Sequence, residues 1–174
     1  MQSFLLWLAQ GFGIGRIPIM PGTFGSLVGI LWTMALLLTR NYWLFLAGTI
    51  GGLFLSVWLC GVGEKVLGKK DPSSVVIDEI TALPICFMAI FTRDWFSTGK
   101  LPPAEALLSS PLWKIVAVIF VLFRLFDIKK PWPVQQSQSL PGGWGVTVDD
   151  VLAACYVALL TLIPILLPQS FVRF

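Results

Sequence analysis

Five apolar stretches, near residues 24–39, 42–62, 77–92, 111–126 and 149–168, fill most of this chain, and its charges gather at or between their ends. A helix that spans a bilayer needs about 20 mostly apolar residues. Three of the stretches fall short, but shorter helices cross when their polar ends meet the headgroups or when they pack inside a bundle. Charged residues make up only 12% of the chain, against about 25% in a soluble domain. These features predict an all-α, polytopic membrane bundle of about four to five apolar helices. At 174 residues it should form a single domain, 1–174. Pro84 predicts a kink in the third stretch and Pro164 another near the end of the fifth.

The N-terminal "MQSFLLWLAQGFGIG" has no Lys or Arg ahead of its apolar residues and no small-residue cleavage site, which argues against a signal peptide. Its Trp7 and Gln10 suit a short helix lying at the membrane interface.

Several chemistries are excluded by composition. There is no His, which removes His-ligated metals, Ser-His-Asp triads and phosphohistidine routes. Cys60, Cys86 and Cys155 lie inside apolar stretches without C-x-x-C spacing and read as buried thiols. The net charge of +3 is spread out, so no nucleic-acid partner is expected. Carboxylate, Lys, Arg, Ser and Thr remain for catalysis.

If all five stretches cross, loop parity puts Arg16, Lys65, Lys69, Lys70, Arg124, Lys129 and Lys130 on one side. Arg40, Arg93, Lys100, Lys114 and Arg173 fall on the other. The excess of cations points the first side to the cytoplasm. The acids are more lopsided: Glu64, Asp71, Asp78, Glu79, Asp127, Asp149 and Asp150 share that side, against Asp94 and Glu105. Acids do not set topology, so their clustering needs another cause.

Three polar blocks on that side supply one. In "GFGIGRIPIMPGTFGS" (11–26), glycines permit close approach of backbone to a ligand, and Thr23 or Ser26 can cap the helix that follows, leaving N–H groups suited to phosphate. An ordinary turn and cap explains the block equally well. It is not a nucleotide loop, since neither the dinucleotide fingerprint nor G-K-[ST] is present. In "DPSSVVIDE" (71–79), Asp78 and Glu79 stand side by side at a helix start. They offer hard oxygen ligands of the kind Mg²⁺ takes, or else simple partners for the helix dipole. Asp71, followed by Pro72, reads as a turn cap. In "FRLFDIKKPWPVQQSQSLPGGWGVTVDD" (123–150), Arg124 and Asp127 share a helix face, so a salt bridge competes with catalysis. Lys129 and Lys130 can snorkel to the headgroups. The Gly-Gly cluster delivers Asp149 and Asp150 to the start of the last apolar helix. One acid suffices as a cap, and the second is a functional candidate.

Taken in order, the blocks G-F-G-x-G-x-x-P-x-x-P-G-T-x-G-S, D-P-x-x-x-V-I-D-E and F-R-x-F-D-x-x-K-P-x-P with G-G-x-G-x-x-x-D-D resemble the phosphatidylglycerophosphatase A family over most of the chain. One departure is Ala82, where Gly is expected after the D-E pair. The resemblance implies a small, Mg²⁺-dependent, multi-pass phosphatase of the bacterial inner membrane, its site facing the cytoplasm. The reaction would convert phosphatidylglycerophosphate, held in the bilayer, to phosphatidylglycerol and phosphate. In that frame Asp78, Glu79, Asp149 and Asp150 are expected to hold the metal, with Asp127 beside them. Gly22, Thr23, Ser26, Arg124 and Lys130 would meet the phosphate. Asp127, Arg124, Lys130 and Thr23 are the catalytic candidates, with water preferred to the Thr23 hydroxyl as nucleophile.

Two other functions fit a small membrane protein with clustered acids. The D-G-x2-A-R…D-x3-D signature of CDP-alcohol phosphatidyltransferases is missing. A transporter or ion pathway using the clustered carboxylates is the alternative, and it is disfavoured because no acid interrupts the middle of an apolar stretch and no inverted repeat is evident.

Overall fold

A computed structural model describes residues 2–110 and 112–166. Among these residues eight α-helices follow one another: α1 (Gln2–Ala9), α2 (Pro21–Leu37), α3 (Tyr42–Leu67), α4 (Ile77–Cys86), α5 (Met88–Thr98), α6 (Leu112–Lys129), α7 (Val134–Ser137) and α8 (Gly143–Leu166). Two 3-10 turns lie at Ile14–Arg16 and Ala104–Leu108. Among the described residues there is no strand.

Among the described residues, two helices are long and apolar enough to cross a membrane: α3, with 26 residues, and α8 over Gly143–Ile163. The start of α3 is fixed by Asn41, whose Oδ1 accepts from the backbone N–H groups of Trp43 at 2.9 Å and Leu44 at 3.2 Å. A cap of this kind is worth about 1 kcal/mol. Apolar side chains of α3 point outward, among them Trp43, Phe54 and Trp58, which suits a lipid surrounding better than water. Of the four to five crossing helices expected, these two meet the length and composition of a span. α2 has 17 residues, and α6 carries Lys114, Arg124, Asp127 and Lys129 within its 18. Arg173 lies outside the described residues.

The third apolar stretch differs most from its sequence reading. It does not form one kinked helix; it forms α4 and α5, joined at Phe87. Pro84 has no N–H for the helix ladder, and α4 ends two residues later. At ten residues, about 15 Å, α4 is a short central rod. It packs against α2, α3 and α8, and all its residues except Ile85 are buried.

Close approach of α2 to α4 depends on glycine. Gly25 and Gly29 face α4 and its cap so closely that a Cβ on Gly25 would lie 2.9 Å from that of Val76, just before the helix, and one on Gly29 2.9 Å from that of Leu83 within it. Small residues at this spacing let two helix backbones meet. Below this seam, Phe45, Phe87 and Phe91 form an aromatic core, with centroids 5.3 and 5.6 Å apart. Cys60 and Cys86 are buried as expected, while Cys155 is only partly so.

α1 packs against α3. Gln10, just beyond it, is buried: its Nε2 donates to Ser74 Oγ at 3.3 Å and its Oε1 accepts from Arg16 Nε at 2.7 Å. It therefore ties the first polar block to the second.

Candidate active site

All three polar blocks meet at one end of the bundle, where α2, α4 and α8 begin and α3 and α6 finish. A cleft of about 370 Å³ opens there, lined by Gly22, Asp71, Asp78, Glu79, Arg124, Asp127, Lys130, Asp149 and Asp150, with Met20 and Ile128 at its apolar part. Six carboxylates thus face two cations.

The innermost acids form one group. Asp78 and Glu79 sit in the first turn of α4, where helix N–H groups favour negative charge. Asp150 reaches them from α8. One carboxylate oxygen of each lies within 4.8 Å of the others. Asp78 Oδ1, Glu79 Oε2 and Asp150 Oδ1 are all buried without a hydrogen-bond partner. An ionised carboxylate removed from water costs several kcal/mol unless it is compensated. Three oxygens from three acids in this state fit a hard cation, which takes oxygen ligands.

Arg124 closes one side of this group. Its Nη1 lies 2.7 Å from Asp127 Oδ2 and 3.5 Å from Glu79 Oε1, and donates to Ser26 Oγ at 3.3 Å. The salt bridge to Asp127 that the spacing allowed therefore forms, and it extends to Glu79. Ser26 is buried, and its own hydroxyl donates to the Gly22 carbonyl at 2.9 Å. It supports Arg124 and does not line the cleft. Neither Thr23 nor Ser26 caps α2, because Pro21 starts the helix earlier with Met20 as the cap. The Thr23 hydroxyl is buried without a partner and stands away from the cleft lining. Gly22 lines the cleft, and a Cβ there would fall onto Glu79 Oε1 and lie 3.0 Å from the Arg124 guanidinium.

On the other side, Asp149 turns away from its neighbour. α8 starts at Gly143, six residues ahead of Asp149, so neither aspartate caps it; both project from its second turn and diverge by about 100°. The early start is possible because Gly143 lies flat on α3, where a Cβ would meet the Gly61 nitrogen at 2.6 Å. Asp149 Oδ2 accepts from Lys130 Nζ at 2.5 Å and from Gln138 Nε2 at 3.0 Å. Asp149 was expected with the metal ligands; the structure groups the other three and sets Asp149 beside Lys130. Burial works against the Lys130 charge, but the hydrogen bond and charge of Asp149 outweigh it and leave the ammonium above the usual lysine range. Asp71 is exposed, lies 3.8 Å from Lys130, and accepts from Gln138 at 3.1 Å. Lys129 is exposed and outside the cleft. Nothing in the sequence singled out Gln138, one of three glutamines in a polar connection.

The sequence profile of phosphatidylglycerophosphatase A matches residues 7–165. The chain belongs to the phosphatidylglycerophosphatase A family. A phosphatidylglycerophosphatase A of Escherichia coli (strain K12) is 36% identical over 84% of this chain and 74% of its own length. The protein of that name from Haemophilus influenzae is 35% identical over 87% and 83%. A Bacteroides thetaiotaomicron protein with a provisional phosphatidylinositol-3-phosphatase name is also 35% identical, over 88% and 89%. No solved structure matches the chain. Membership makes this protein an enzyme, a phosphatase, and the family profile runs through every residue of the cleft.

Proposed function

We propose that this phosphatase hydrolyses the terminal phosphomonoester of phosphatidylglycerophosphate, releasing phosphatidylglycerol and inorganic phosphate. The observation that carries the reading is the group of three buried, partnerless carboxylate oxygens on Asp78, Glu79 and Asp150, set between Arg124 and Lys130. Asp78, Glu79 and Asp150 would hold Mg²⁺. When bound, the ion supplies Lewis-acid neutralisation of phosphate charge.

The chain's own groups do the rest. Arg124 uses Nη1 for Asp127, Glu79 and Ser26, which leaves Nη2 for a phosphate oxygen, and Lys130 takes another from the opposite wall. Asp127 is bound to Arg124 through Oδ2, so Oδ1 is free to accept a proton from the attacking water. The water oxygen bonds to phosphorus and the bond to the glycerol oxygen breaks. The alkoxide takes a proton from solvent and leaves as the lipid alcohol. Thr23 stands off the cleft, which favours water as nucleophile.

In this reading the bundle crosses the bacterial inner membrane several times, through α2, α3, α6 and α8, with α1 at the interface and the cleft toward the cytoplasm. The clustering of cations near the cleft end supports that orientation. Acyl chains remain in the bilayer while the headgroup enters. The gathering of acids at one end, and not along a path through the bundle, favours hydrolysis over transport.

The test is phosphate release by purified protein in detergent, with Mg²⁺ and with chelator, from phosphatidylglycerophosphate and from phosphatidylinositol 3-phosphate. Mg²⁺-dependent release from the first lipid is expected, with less from the second. Well-folded protein that releases phosphate from neither overturns the proposal, and faster release from the inositol lipid would reassign the substrate.

A further inference from the structure

The outer wall of the cleft contains a contact that the reaction outlined above does not use. A primary amide nitrogen has two hydrogens, and Gln138 spends both on carboxylates from different parts of the chain: Asp71 Oδ2 at 3.1 Å and Asp149 Oδ2 at 3.0 Å. Lys130 Nζ bonds the same Asp149 oxygen at 2.5 Å and lies 3.8 Å from the same Asp71 oxygen. The second oxygen of Asp149 accepts the backbone N–H of Asp150 at 2.9 Å. Both Asp149 oxygens are therefore engaged, in contrast to Asp78, Glu79 and Asp150, each of which keeps one buried oxygen without a partner.

We propose that Gln138 is a positioning residue that clasps Asp71 to Asp149, making Asp149 the anchor of Lys130 and not a fourth carboxylate of the metal group. Two carboxylates bonded to one nitrogen would repel each other without it. Gln138 and the Lys130 ammonium hold them together, and Asp149 fixes that ammonium in the cleft lining. The backbone is adapted to the same end. Lys130 and Asp71 both occupy the left-handed region, with φ of 44° and 47°, a conformation that is common for Asp but rare for Lys and that tends to persist at functional sites. Gln138 itself is carried by the connection from α6 to α8, seated by the buried Val134 and by the hydrogen bond from Ser137 Oγ to the Val134 carbonyl at 2.7 Å.

The kinetic part of this inference rests on the phosphatase reading, and the metal-binding part does not. The experiment uses full-length protein in detergent and compares wild type with Gln138→Met, which keeps the shape but has no donor, and with Asp149→Asn, Asp150→Asn, Lys130→Ala and the double variant Lys130→Ala/Gln138→Met. Thermal midpoints identify any variant that fails to fold, and Gln138→Ala replaces Gln138→Met if that one does. Calorimetric titration with Mg²⁺ alone should find Gln138→Met and Asp149→Asn within about 3-fold of wild type, while Asp150→Asn binds more than about 10-fold more weakly. Phosphate release should fall about 10-fold in Gln138→Met, as expected for lost hydrogen bonds to charged groups. That fall should vanish in the Lys130→Ala background, because residues that act through one another are not additive. Loss of Mg²⁺ binding in Asp149→Asn equal to that in Asp150→Asn would overturn the assignment of Asp149. A full, additive loss in the double variant would overturn the action of Gln138 through Lys130. If wild type binds Mg²⁺ but hydrolyses no lipid phosphate, the functional reading fails and the titration still decides between anchor and ligand.

Discussion

The two walls of the cleft treat their carboxylates in opposite ways. On the inner wall, Asp78, Glu79 and Asp150 are almost sealed from solvent, yet each has an oxygen that nothing in the protein satisfies. On the outer wall, Asp71 and Asp149 are matched by Lys130 and Gln138 in a closed set of contacts. Asp149 and Asp150 are neighbours in sequence, so the difference comes from direction alone. The inner wall leaves oxygens without protein partners, where the proposed cation would sit; the outer wall is matched within the protein and can present its ammonium to an anion.

The contrast is broken most sharply at Asp150. Asp150→Asn should lower phosphate release by about 1,000-fold, the scale of a lost metal ligand, while raising the stability of the metal-free protein by about 1–2 kcal/mol, because one buried unmatched charge is gone. Activity assays and chelator-treated melting curves check both signs, and a metal-free variant less stable than wild type would contradict the account of the inner wall. Arg124→Lys should cost about 10- to 100-fold in activity, since an ammonium cannot hold Asp127, Glu79 and a phosphate at once in the fork geometry of guanidinium; steady-state kinetics should show much of the loss in KM. Gly22→Ala pushes a methyl group onto Glu79 and should destabilise the fold by about 1–3 kcal/mol, read by denaturation, with weaker Mg²⁺ binding as a second sign. The smallest effect is expected on the outer side at Tyr156→Phe. It removes only the 2.6 Å hydrogen bond to the Trp132 carbonyl and should cost about 1 kcal/mol, with phosphate release changed by less than a factor of about three.

Much of the cleft could be read from the sequence because its acids are too many for local roles. Asp149 beside Asp150, and Asp78 beside Glu79, each left one carboxylate that capping did not explain, and all four line the cleft. What could not be read was direction. Which aspartate faces inward depends on where α8 begins, and that is set by Gly143 lying flat on α3, a contact between distant parts of the chain. The glycines of the first block were legible as a close approach, and the close neighbour the structure adds is Glu79 of α4, with Gly22 still in the cleft lining. Hydropathy hid the third stretch, since a helix buried on every side by other helices and one that faces lipid are equally apolar. Gln138 had no signal at all, because a primary amide between two acids looks like any polar residue until the chain is folded.

The short, buried α4 has a consequence for how the protein is assembled. Its acidic end is covered by α2 and α3, which come before it, and by α8, which is made only after α5, α6 and α7. A chain emerging from the ribosome therefore holds Asp78 and Glu79 in a half-open notch until α8 arrives with Asp150. On the metal reading proposed above, capture of the ion would be a late event, a lock that closes only when the last wall of the bundle is in place.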